Sequence, residues 1–163
     1  MTRQRATGLL TAILLGGFVA GSVDVGAASL IFHAHPDGVL RAIASGLIGA
    51  AAKGSGLKGA ALGLVLQWLM GMIIAAIYDV AALALPILSR LWIAGGLAYG
   101  VAIYFVMNDV VVPLSAAAPN AKPGPLLVEA ENMAAMLLFG LIVAFFARKL
   151  GPRRATTPSP EPA

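Results

Sequence analysis

The sequence predicts an all-α fold: an integral membrane bundle of four transmembrane helices, with one short interfacial, amphipathic helix between the first and second spans. Two observations carry this. Four apolar stretches, at 7–32, 59–85, 91–114 and 126–147, are each long enough to cross a hydrocarbon core of about 30 Å at about 1.5 Å per helical residue. The 163 residues are also 60% hydrophobic and only 11% charged, with mean hydropathy +0.90. A soluble domain carries about 25% charged residues. Four spans with short loops use up residues 1–150, so no separate soluble domain of ordinary size is expected.

The first stretch opens with Arg3 and Arg5 before an apolar run, and Val25-Gly26-Ala27 has the small residues of a cleavage site, as in a signal peptide. The run continues through Leu30, Ile31 and Phe32, so a retained first helix is expected. It ends in the loop chemistry of His33 to Gly38, where Pro36 disfavours helix at His35 and Asp37 can cap the next helix. Residues 39–52 then form a shorter helix with Leu40, Ile43 and Leu47 on one face and Arg41, Ser45 and Gly49 on another. Fourteen residues reach only about 21 Å, too short to cross alone, so an interfacial or half-inserted helix is expected. The rival is a fifth crossing through 39–57, which would draw Arg41 and Lys53 toward the membrane.

The second span stops at Leu85-Pro86, and the tight connection 86–90 predicts that spans two and three are antiparallel neighbours. The third closes at Pro113 and the fourth at Arg148-Lys149. The tail 151–163, with four prolines and little apolar mass, is expected to be a disordered cytoplasmic segment.

The net charge of +4 is a topology signal rather than the mark of a nucleic-acid partner, because the basic residues stand at the ends of apolar segments. With four spans, Arg3, Arg5, Arg90, Arg148, Lys149, Arg153 and Arg154 share one side, against Arg41, Lys53, Lys58 and Lys122 on the other. The richer side should be cytoplasmic, with both termini there, in a bacterial inner membrane. Cysteine is absent, which excludes disulfides, thiolate nucleophiles and cysteine metal sites.

Each span repeats small or polar residues at every fourth position. The stripes are Gly16, Ala20, Asp24 and Ala28; Gly59, Gly63, Gln67, Gly71, Ala75 and Asp79; Gly96, Gly100, Tyr104 and Asn108; and Asn132, Gly140 and Ala144 with Met136 between. Residues four apart stack on one helical face, and small ones let backbones approach in lipid. The stripes therefore serve helix packing, within the chain or in a homo-oligomer. They also turn Asp24, Gln67, Tyr104, Asn108 and Asn132 toward other helices.

Most of these polar groups fall in the outer half of the membrane: Asp24 in the first span, Gln67 in the second, Asn108 and Asp109 in the third, Glu129, Glu131 and Asn132 in the fourth. An ionised Asp at mid-bilayer costs about 2.5–3.5 kcal/mol on insertion scales, so such residues are partnered, neutral or functional. Three roles stay open for Asp24: a structural partner of Arg41 or Asn108, the wall of an outward-facing pocket, or the titrating carboxylate of a transporter. Asp79 alone occupies the inner half and is placed to reach toward Arg90. His33 and His35, with Asp37, are the only cluster of metal-ligand types. Two histidines in a loop make a weak metal candidate, and neither a metal nor a cofactor is expected.

No phosphate-binding loop, His-Glu-x-x-His or Gly-x-Ser-x-Gly motif occurs, and Lys53, Gly54, Gly56 and Lys58 lack phosphate-loop spacing. A non-enzymatic protein is expected, its obligatory partner the lipid bilayer and its small-solute ligand unspecified. Two rivals remain: a small proton- or ion-coupled transporter acting as a homo-oligomer, and an accessory subunit of a larger membrane complex.

The segments Gly21–Asp24, 43–47, 62–64 and the stretch from Tyr99-Gly100 through Met107-Asn108 to Val112-Pro113-Leu114-Ser115 resemble those of YagU-like small bacterial inner-membrane proteins of unknown function. The resemblance covers about 8–147. It implies an acidic first helix, a short amphipathic helix and three further spans, and it implies no ligand or reaction.

Overall fold

The computed structural model describes residues 3–118 and 124–152. Among them all regular structure is helical. Helix α1 (Arg3–Ile31) is followed by α2 (Pro36–Ile48), a 3-10 segment (Gly49–Gly54), α3 (Gly56–Ala84), α4 (Pro86–Arg90), α5 (Trp92–Val106), a π turn (Met107–Val111), α6 (Val112–Leu114) and α7 (Leu126–Leu150). Four spans are long and apolar enough to cross a membrane: Arg5–Ile31, Gly56–Ala84, Trp92–Leu114 and Leu126–Leu150. The protein is a multi-pass membrane protein. Its spans of 23 to 29 residues exceed the length needed for a core of about 30 Å, so they tilt or project beyond it. The expectations for Lys122, Arg153, Arg154 and the tail 153–163 lie outside the described residues.

The ends of the elements follow local chemistry. His33 adopts φ 47° just beyond α1, and the Ala34 amide reaches back to the Ser29 carbonyl at 3.0 Å. This is a left-handed helix cap made without glycine. Helix α2 starts earlier than expected, at Pro36, whose fixed φ suits the first helical position. Asp37 does not cap it: His35 holds the cap position, and Asp37 instead pairs with Arg41 one turn on, at 2.9 Å. Gly49, at φ 59°, ends α2 before the expected boundary. Helix α2, at 13 residues, is not among the helices long and apolar enough to cross a membrane. It packs against the start of α3, where Gly63 has no room for a Cβ beside the Leu40 carbonyl.

Within the third span the ladder widens at Met107–Val111, and the Val112 amide bonds the Met107 carbonyl. Pro113, with no amide hydrogen and a ring that crowds the preceding turn, supplies the cause.

The spans form an arc rather than a closed square. Helix α3 packs on α1, α1 on α7 and α7 on α5. Although α4 joins them tightly, α3 and α5 are not close-packed neighbours as expected: they meet through side chains, chiefly Tyr78 against Tyr99 with ring centroids 5.1 Å apart. The glycine stripes are spent on the arc. Gly17 meets Gly71 and Met72 between α1 and α3, and Gly96 and Gly100 meet Gly140 between α5 and α7. Ala20, Ile74, Tyr78, Ile103, Phe139 and Val143 form the centre. Leu14, Leu69, Ile77, Phe105 and Leu138 point outward, as lipid-facing side chains do.

Gly8 of α1 lies against the last residue of α7, and Arg148 of α7 sits 5.5 Å over the Trp92 ring of α5. One end of the bundle thus gathers Arg3, Arg5, Arg90, Arg148 and Lys149. The opposite end carries α2, His33, His35, Lys53 and Lys58.

Candidate functional site

Because α3 and α5 diverge away from α4, the half of the bundle nearer α2 contains a cavity of about 620 Å³. Helix α2 supplies one wall with Val39, Ala42, Ile43 and Gly46, and is tied across to the third span by the Ala116 amide, which donates to the Gly46 carbonyl at 3.0 Å. Ile74, Ile103 and Phe139 form the deep end. Leu47, Leu69 and Ile73 line it while remaining exposed, so its mouth faces sideways into the region lipid occupies.

The lining is apolar apart from a few placed groups. Asp24, Gln67, Asn108 and Asn132, contributed by all four spans, join Ser115 there. Gln67 Nε2 donates to Asp24 Oδ2 at 2.8 Å and to the Gly21 carbonyl at 3.2 Å, which fixes the carboxyl in the wall. The expected partners of Asp24 are therefore replaced. Arg41 belongs to Asp37, and Asn108 Nδ2 donates to its own helix at the Tyr104 carbonyl, 2.9 Å away. Asp24 and Asn108 share the cavity without a hydrogen bond between them.

Tyr104, expected to face inward, and Glu129 of the expected layer form a separate unit. The Tyr104 hydroxyl donates to Glu129 Oε2 at 2.6 Å, and Glu129 Oε1 accepts the Gly124 amide at 2.9 Å. Glu129 thereby ties the start of α7 to α5. Asp109 and Glu131 are exposed and outside the cavity. His33 and His35 are exposed as well, and among the described residues no group of three metal-ligating side chains converges.

Asp79 does not meet Arg90. It is 3% exposed, and its Oδ2 has no hydrogen-bond partner. Trp68 turns away from the cavity, stacking on Phe18 at 4.8 Å and donating to Ser22 Oγ at 3.1 Å.

Met70 and Met107, which line the cavity with Met136, were not foreseen from the sequence, and neither was the contribution of α2. Methionine is flexible and polarizable, suited to walls that adapt to their contents. The signal was the spacing of Met136 in its stripe, but nothing in the sequence placed the other two opposite it. Comparison with family models, curated proteins and solved structures finds no match to the chain.

Proposed function

We propose that this protein is a non-catalytic binding protein of a bacterial inner membrane, and that its cavity holds a small amphipathic molecule bearing a cationic group. The observation that carries the reading is the Asp24 carboxyl, held by Gln67 in the wall of a largely apolar cavity that opens toward lipid. Its volume lies in the range of small-molecule sites, about 300–1,000 Å³. An apolar body would fill the methionine-lined space, a cation would face Asp24, and Asn108 and Asn132 would orient polar substituents. The orientation belongs to the same proposal: the basic end and both termini are cytoplasmic, which turns the cavity to the outer half of the membrane. So does the likeness to YagU-like proteins.

The test is equilibrium binding of tetraphenylphosphonium to the full chain in lipid discs, beside its neutral relative triphenylphosphine oxide. Saturable binding of the cation, lost in Asp24→Asn and weak for the neutral compound, is expected. Equal binding of both compounds, or full affinity in Asp24→Asn, would refute it. The competing reading, an accessory subunit, is favoured by the incomplete packing of α3 on α5. Native mass in lipid discs separates the two, since an accessory subunit carries a foreign chain. A transporter acting as a homo-oligomer would appear as a multiple of this one, its interface built on surfaces other than the glycines spent within the bundle.

A further inference from the structure

Below the cavity the last two turns of α3 carry a carboxyl that the binding reading does not use. Asp79 is 3% exposed and Tyr78 2%, and both Asp79 Oδ2 and the Tyr78 hydroxyl are buried without hydrogen-bond partners. A carboxylate deprived of water is stable only with compensating donors or a counter-charge. The charged and titratable groups on the surrounding elements supply neither. Tyr99 of α5 donates its hydroxyl to the Ile74 carbonyl at 2.7 Å. Arg148 and Lys149 of α7 lie over Trp92 and Phe145. Arg90 of α4 and Arg3 and Arg5 of α1 form no ion pair with it, and the ion pair among the described residues joins Asp37 to Arg41.

Its place in the bundle is equally particular. One turn from Tyr78 toward the cavity, Ile74 forms the deep wall and accepts the Tyr99 bond that helps hold α3 to α5. One turn the other way, Ala82 and Leu83 line a second, smaller pocket of about 260 Å³ at the basic end, with Ser89 and Arg148. Along α3, Asp79 thus lies between the two spaces, next to Tyr78, whose ring packs on Tyr99 of α5.

We propose that Asp79 is a proton-binding site, its carboxyl carrying a proton while Tyr78 and Tyr99 hold α3 against α5 and passing it to water when that contact opens. The step leaves a carboxylate and a hydrated proton and needs no other reactant. It stands apart from the occupant of the cavity, so failure of tetraphenylphosphonium binding leaves it intact, and the reverse holds too.

Infrared spectroscopy of the full chain in lipid discs at neutral pH tests it through the carbonyl stretch of a protonated carboxylic acid. We expect a band that is lost in Asp79→Asn, moved but kept in Asp79→Glu, and unchanged in Asp24→Asn. On transfer to heavy water the band should shift slowly in the wild-type chain and at least tenfold faster in Tyr99→Phe, which lacks the bond to Ile74. A spectrum without the band, or one unaltered by Asp79→Asn, overturns the site. Equal exchange rates in wild type and Tyr99→Phe overturn the tyrosine closure.

Discussion

A single methyl group placed at Gly140 should weaken the bundle where α5 and α7 touch backbone to backbone. A Cβ there would lie 2.7 Å from the Gly100 nitrogen and 3.0 Å from its Cα, and nearer still to the Gly96 carbonyl oxygen. Ordinary contact begins near 3.4 Å, so the helices must separate by at least about 0.7 Å. None of the obstructing atoms belongs to a side chain that can rotate away. A gap of about 0.5–1 Å forfeits a quarter to a half of each atomic attraction of about 0.1–0.2 kcal/mol across the seam. Summed over a few tens of atom pairs, and with overpacking strain added, Gly140→Ala should cost about 1–3 kcal/mol. Gly26 is the control: a Cβ there meets nothing within 4 Å, and alanine is the better helix former by about 0.5–1 kcal/mol. Reversible unfolding in mixed micelles, followed by circular dichroism, measures both variants. A Gly140→Ala chain as stable as the wild type, or an equal loss in Gly26→Ala, would refute this account of the seam.

Gln67→Leu removes the donor to both Asp24 and the Gly21 carbonyl, and should destabilise by about 1–3 kcal/mol in the same unfolding assay. Replacing His33 by glycine relieves a left-handed residue at the end of α1 and should raise stability by about 1 kcal/mol; a loss would show that the imidazole has work of its own. Tyr104→Phe releases Glu129 from α5 and should speed hydrogen exchange at the start of α7, leaving the middle of α3 unaltered. Reporter fusions after Ser55, Arg90 and Lys122 should read outside, inside and outside; an inside signal at Ser55 would mean that the chain crosses again through 39–57, that the first helix does not cross, or that the orientation is reversed.

The four spans were legible because crossing a membrane is a demand on length and composition, and both are local properties of the chain. The inward face of each span was legible too, since residues four apart must share a side: Gly16 and Ala20, Gly63 and Gly71, Gly96 and Gly100, and Gly140 are all buried between helices, whereas Gly17, which meets Gly71, lay outside the repeat. Partner choice was not. That Gln67 rather than Arg41 or Asn108 meets Asp24 depends on which helices are adjacent, and so does the isolation of Asp79 from Arg90. A short connection shows that two helices are antiparallel but leaves open whether they close on each other. Here α3 packs on α1, α1 on α7 and α7 on α5, and α3 and α5 meet through side chains such as Tyr78 and Tyr99. A membrane bundle with inward polar residues follows from hydropathy and helical period, which act residue by residue. That the gap left over is a cavity walled by α2 follows from packing alone, because a cavity is defined by the contacts that packing fails to make.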